Sequence, residues 1–190
     1  MAMPRSGAPA RARLREAALE LYGEQGFDAT TTAEIAARAG VTERTYFRHF
    51  VDKREVLFDG ERELIDTMTA AIASAPAGLP PLALVLRAYG AAVPLFVAGR
   101  PVAERRARII ETSPALRERA HAKSATLTEA LTGALGTRGI PEPTARLAAR
   151  AGAAVFEHGS GAWDGVTAAD LTALITQAAD ELGRLATELP

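Results

Sequence analysis

The sequence predicts an all-α protein with a helix-turn-helix near its N-terminus. Aliphatic residues recur at spacings of three and four, and no sustained alternating pattern of strands is present. Glycine and proline cluster at a few points that divide these periodic stretches. Residues 31–50, TTAEIAARAGVTERTYFRHF, contain two short helical segments, each with its own start signal.

The N-terminus carries Arg5, Arg11, Arg13 and Arg15 and no acid before Glu16, with Pro4, Gly7 and Pro9 among them. Residues 1–10 are therefore expected to be a flexible basic arm. Leu14, Ala18, Leu21 and Tyr22 give the first helix its core stripe. Thr31 with Glu34 three residues on is a capping box, and Ile35, Ala36 and Ala39 form the apolar side of the next helix. Gly40 follows its end, where a left-handed residue closes the turn at least cost. Thr42 is an N-cap, and Val41 and Tyr46 occupy the N′ and N4 staple positions.

A long helix over about 52–74 follows, with Asp52 as cap and Val56, Leu57, Leu64, Ile65, Met68 and Ile72 as its apolar set. Residues 75–81 break it. A helix over about 82–98 is expected to kink at Pro94. Gly99-Arg100-Pro101 reads as a turn, with Pro101 opening another helix, and Ser113-Pro114 repeats that signal for a helix to about Leu135. Residues 136–143 read as a loop, and a helix over about 144–158 stops at Gly159-Ser160-Gly161. Thr167 with Asp170 caps the last helix, whose stripe is Leu171, Leu174, Ile175, Ala178, Leu182, Leu185, Ala186 and Leu189.

Two helices joined by a short Gly-containing turn form a unit whose second helix can enter the major groove of DNA. The same corner occurs in all-α proteins that never touch nucleic acid. The residue types on the second helix favour DNA. Glu43, Arg44 and Phe47 share a face. Arginine pairs bidentately with guanine, glutamate accepts from cytosine, and an aromatic ring meets a thymine methyl. Lys53, beside the capping Asp52, is placed to meet a phosphate. From Thr30 to Arg54 five basic residues face three acidic ones, a mild local bias in a chain of net charge −1.

The stretch LREAALELYGEQGFDATTTAEIAARAGVTERTYFRHFVDKREVLF resembles the N-terminal domain of the TetR family of bacterial transcriptional regulators. Gly26-Phe27, Thr31-Thr32, Ile35-Ala36, Ala39-Gly40-Val41, Thr45, Phe50, Lys53 and Leu57 match the family's pattern in register. The resemblance implies three N-terminal helices for DNA (residues 11–51) and about six more, over 52–190, for effector binding and dimerisation. It implies DNA contacts at Thr31, Thr32, Thr42, Glu43, Arg44, Thr45, Tyr46, Phe47, His49 and Lys53. It also implies a repressor released from a palindromic operator by a small molecule. Where the family commonly has a tyrosine whose hydroxyl meets a phosphate, this chain has Phe47, leaving Tyr46 or His49 as replacements.

The last two helices carry the expected homodimer face. Ala149 and Gly152 on the small-residue helix would lie opposite Leu174, Ala178 and Leu182. Two recognition helices related by a two-fold axis read half-sites about 34–36 Å apart. Effector wall candidates are Met68, Tyr89, Phe96, Ile109, Phe156 and Trp163, with Tyr89, Arg106, His121, Glu157 and His158 as polar candidates. Residues 82–97 hold a single charge, Arg87, so an apolar or amphipathic effector is expected.

No cysteine is present, which removes disulfides and thiolate metal ligands. His49, His121 and His158 have no partner at a familiar metal spacing, and neither a nucleophile elbow nor a phosphate loop occurs. No cofactor, no metal and no enzymatic activity are expected. The N-terminus lacks an apolar leader, and Pro76, Gly78, Pro80 and Pro81 interrupt the longest uncharged run, so a cytoplasmic protein without membrane contact is expected. The competing reading is an architectural or partner-binding helix-turn-helix protein with no small-molecule ligand.

Overall fold

The structure is a computed structural model that describes residues 7–165 and 167–188. Residues 1–6 of the expected arm, with Arg5, and Leu189 of the last apolar stripe lie outside the described residues. The elements are α1 (Gly7–Gln25), α2 (Thr32–Arg38), α3 (Glu43–His49), a 3₁₀ turn (Glu55–Phe58), α4 (Glu61–Ala73), α5 (Pro81–Thr112), α6 (Pro114–Gly136), α7 (Glu142–Gly161) and α8 (Ala168–Thr187). The described residues hold no strand. The all-α class is thus met. Helix α1 takes in residues 7–10 of the expected arm.

Two expected boundaries move. The helix over 52–74 does not form as one piece. Asp52 instead accepts the N–H groups of Arg54 (2.7 Å) and Glu55 (3.1 Å), capping only the 3₁₀ turn. Gly60, at φ +94°, then separates the turn from α4, a conformation that residues with a Cβ rarely adopt. Conversely, the turn expected at Gly99–Pro101 is absent, because α5 runs 32 residues through Pro94 and Pro101.

Two compact units divide the chain. The first comprises residues up to Gly60 together with Pro101–Ala122, and the second comprises Glu61–Arg100 together with residues from Lys123 onward. The core of the first gathers Leu14, Ala18, Tyr22, Ile35, Tyr46 and Val56 with Ile109 and Leu116. In the second, Met68, Ile72, Leu84, Val85, Tyr89, Leu131, Leu135 and Ala149 pack together, and a further cluster joins Val93, Val155, Trp163, Leu171 and Ile175. Helix α5 is long and apolar enough to cross a membrane by length and composition alone. Its Leu84, Val85, Ala88, Tyr89, Ala92 and Val93 are buried in the second unit.

Candidate nucleic-acid interface

Helix α2 starts as its sequence dictates. The Glu34 carboxylate accepts the Thr31 N–H at 2.8 Å, and Thr31 Oγ1 accepts the Glu34 N–H at 3.2 Å, closing the capping box. After α2, Gly40 takes φ +67° and the Val41 N–H returns to Ala36 O at 2.9 Å. Thr42 Oγ1 then accepts the Thr45 N–H, opening α3. Thr32 Oγ1 donates to the Glu43 carboxylate at 2.5 Å, so the two helices are pinned across the turn.

The exposed side of α3 consists of Glu43, Arg44, Phe47 and Arg48. Arg48 was not among the sequence candidates, although it stands one helical turn beyond Arg44. Phe47 is 52% exposed. Thr31 and Thr42 are exposed, and Thr32 and Thr45 are half-buried at the edges of the same surface. Thr42 and Thr45 share a hydroxyl–hydroxyl bond of 3.0 Å.

Two sequence candidates have other work. Tyr46 is fully buried, and its hydroxyl donates to Asp52 O at 3.0 Å. It therefore cannot replace the missing tyrosine at a phosphate. Burial, with the Asp52 and Glu55 charges, pushes its phenol well above the ordinary range. The Lys53 ammonium donates to Phe27 O (2.8 Å), Thr30 O (3.1 Å) and Asp28 O (3.2 Å) and sits over the Phe27 ring. All three of its protons have carbonyl partners, so Lys53 clamps the loop after α1 rather than waiting for a phosphate.

His49 is half-buried at the end of α3, and its Nε2 is shielded without a hydrogen-bond partner. Burial, then the Arg48 and Arg11 charges, hold its pKa below the usual imidazole value against the opposing pull of Asp59. Arg11 donates to His49 O at 3.1 Å and pairs with Asp59 at 2.7 Å, while Arg13 donates to Ala39 O at 3.0 Å. Two arginines of the basic N-terminal segment therefore cap the ends of α3 and α2.

The effector candidates do not form one group. Arg106, Ile109 and His121 belong to the first unit. There Ile109 is core, and Arg106 points to Leu57 O with its pKa lowered by burial and by Arg15. In the second unit Tyr89 stacks on Phe156 at 4.7 Å, and Phe96 lies 4.4 Å from the same ring. Burial pushes the Tyr89 phenol up to about 12. Met68 is fully buried in the same cluster. Trp163 instead closes the α7–α8 connection, donating to Thr167 O at 3.1 Å beneath the Arg100 guanidinium. Glu157 and His158 are exposed on α7.

The expected dimer face is also redrawn. Ala149 is fully buried, and a Cβ on Gly152 would lie 2.3 Å from Val85 Cγ1. Both small residues therefore let α7 approach α5 inside the unit. Ala178 is buried as well, while Leu174 and Leu182 are half-buried. On α7 and α8 the exposed leucines among the described residues are Leu147 (70%) and Leu185 (57%). Leu147, Ala151, Ala154 and His158 share one stripe of α7, and Leu174, Ala178, Glu181 and Leu185 share one of α8. His158 and Glu181 join the two stripes at 3.5 Å.

A capped short helix with an exposed arginine-bearing face, set across a glycine turn from its support, defines the class of helix-turn-helix proteins. Residues 14–59 match the model of the bacterial regulatory proteins, tetR family. The similarity to that family thus rests on the helix-turn-helix region of this chain. The HTH-type transcriptional regulator TcmR of Streptomyces glaucescens is 38% identical over 81 residues, a match covering 43% of this chain and 36% of that protein. The chain thus spans about a third of the length of that relative.

The fold as a whole resembles a TetR-family transcriptional regulator from Mesorhizobium loti, with TM-score 0.59 and 18% identity over 94% of this chain and 96% of that one. It also resembles Thermus thermophilus FadR, a TetR-family repressor solved with lauroyl-CoA, with TM-score 0.54 and 20% identity over 90% and 91% of the two chains.

Proposed function

We propose that this chain is a cytoplasmic, ligand-responsive transcriptional regulator that binds a palindromic operator as a homodimer and acts as a repressor. The carrying observation is the outward face of α3, where Arg44 and Arg48 stand exposed on a helix pinned to α2 and capped by Arg11. Arg44 reads guanine and Arg48 holds phosphate. Arg44→Ala should cost roughly 1–3 kcal/mol on the selected sequence and relax specificity at one position of each half-site. Arg48→Ala should weaken all duplexes alike and flatten the salt dependence. Absence of salt-sensitive duplex binding by the wild type would reject the function.

Dimerisation supplies the second half-site. Leu147 and Leu185, exposed on adjoining helices, support a face that a second copy covers. Leu185→Glu should give monomers by sedimentation and lose operator affinity while the helical signal stays intact.

The effector is a small apolar or amphipathic molecule held by the second unit, near Tyr89, Phe96 and Phe156. The family neighbour solved with lauroyl-CoA supports this choice of chemistry. The ligand need only bind the operator-incompetent conformer better, with coupling of about 1–3 kcal/mol. A fatty acyl thioester series should raise the melting temperature and release DNA, and Phe96→Ala should shift that affinity alone. A chain that no acyl or aromatic compound stabilises would favour the ligand-free architectural role.

A further inference from the structure

We propose that the Phe47 ring gives each half-site a preference for thymine at one position, by closing on its C5-methyl in the major groove; this rests on the DNA-binding reading above. Phe47 is the one large apolar side chain on the outer face of α3, where its exposed neighbours Glu43, Arg44 and Arg48 are charged. It is also held in place. Its ring stands edge-on to the Tyr46 ring, 5.6 Å between centroids at 82°. Tyr46 is itself fully buried and tied through its hydroxyl to Asp52 O. The ring is thus presented outward from a fixed support.

A phenyl group has neither donor nor acceptor, so it cannot pair with the polar edges of guanine, adenine or cytosine. The major groove of unmodified DNA offers it one apolar group, the thymine methyl. Neighbouring side chains narrow the position. Arg44 stands three residues before Phe47 on the same side, a rise of about 4.5 Å. The thymine therefore lies within about two base pairs of the guanine that Arg44 meets.

The test starts from duplexes enriched by the wild-type chain from a random pool. At the enriched thymine, four otherwise identical duplexes carry thymine, uracil, 5-methylcytosine or cytosine. Uracil differs from thymine only by the methyl, and 5-methylcytosine restores the methyl on the other pyrimidine. Thymine should bind roughly four-fold more tightly than uracil, about the worth of one buried carbon. The 5-methylcytosine duplex should gain a similar factor over cytosine. Phe47→Ala, at an exposed position, should keep the fold and lose both preferences, while Phe47→Tyr should keep them.

Equal affinity for thymine and uracil in the wild type overturns the inference and leaves the regulator intact. So does a methyl preference that survives Phe47→Ala, or a Phe47→Ala effect confined to oligomeric state. A chain that enriches no sequence overturns the DNA-binding reading, and this inference falls with it.

Discussion

The two units differ in how many side chains tie their elements to backbone carbonyls. In the first, side chains reach across elements to backbone carbonyls: Arg11 to His49, Arg13 to Ala39, Tyr22 to Lys53, Tyr46 to Asp52, and Lys53 to Phe27, Asp28 and Thr30. Among the described residues of the second, Arg138 collects the carbonyls of Ile72, Ala73, Ala75 and Pro76 at the end of α4, and Arg100 donates to Trp163 O at 3.1 Å. Much of the rest is close apolar contact. Gly159 lets α7 meet the backbone of α8, where a Cβ would lie 2.9 Å from Leu174 O. Directional bonds fix one arrangement, which suits the proposed reading of base spacing. Apolar packing is non-directional and accepts volume-conserving rearrangement more readily.

The largest expected effect tests the apolar side. Glycine to alanine within a helix ordinarily stabilises by roughly 0.5–1 kcal/mol. At Gly133 of α6 an added Cβ meets nothing within 4 Å, so Gly133→Ala should show that gain. At Gly152 the same atom lands 2.3 Å from Val85 Cγ1, a side chain buried completely. Gly152→Leu should therefore cost about 3 kcal/mol through overpacking, and Gly152→Ala should lose stability despite its helical advantage. Urea melts compare the signs, and a stabilised Gly152→Ala would show that α7 is not seated on Val85.

The next effects test the polar side. Lys53→Met keeps the length of the stem and strands three carbonyls, so it should cost about 1–2 kcal/mol. It should weaken DNA binding only through the fold, leaving the salt dependence of the remaining affinity unchanged. A reduced salt slope would return Lys53 to the phosphate role expected from sequence. Thr42→Ala removes the α3 cap and should cost about 1 kcal/mol. Its first symptom should be faster amide exchange at Thr45.

How much of this could be read from the chain follows the reach of each signal. The caps at Thr31, Thr42 and Thr167 and the turn at Gly40 join residues a few positions apart, and each forms as its sequence says. The family resemblance, carried by the same stretch, is met by the match over residues 14–59. Partners far apart were not legible. The Lys53 ammonium meets carbonyls 23 to 26 positions earlier, and nothing local distinguishes a clamp from a phosphate contact.

Gly152 looked like a dimer seam because small residues permit any close approach, and only the fold shows that Val85 is the occupant. Pro101 misled in the other direction. It carries a strong local preference for a break, yet α5 continues through it as it does through Pro94. Residues from the two ends of that helix, Val85 and Ile109 among them, are buried in different cores, so tertiary packing outweighs the local signal.

The smallest expected effect is acid sensitivity, which sorts by residue within the polar unit. His49 has its pKa lowered by burial and by Arg48 and Arg11, so its folded value lies below the ordinary 6.5. The unfolded chain then binds the proton more readily. Stability is full above about 6.5 and falls as the pH drops from there to the folded value, then levels. Asp52 behaves in the opposite chemical sense. Burial raises its pKa, but the Arg54 side chain and the backbone N–H groups of Glu55 and Arg54 outweigh it and leave the value depressed. Its contribution is full above the unfolded value of about 3.9 and is lost as the pH falls through the folded value. Urea midpoints measured across pH should therefore decline in two stages. His49→Gln should flatten the first stage alone, and Asp52→Asn should remove the second alone. A first stage that persists unchanged in His49→Gln would mean that the shielded Nε2 at the end of α3 carries no proton-linked strain.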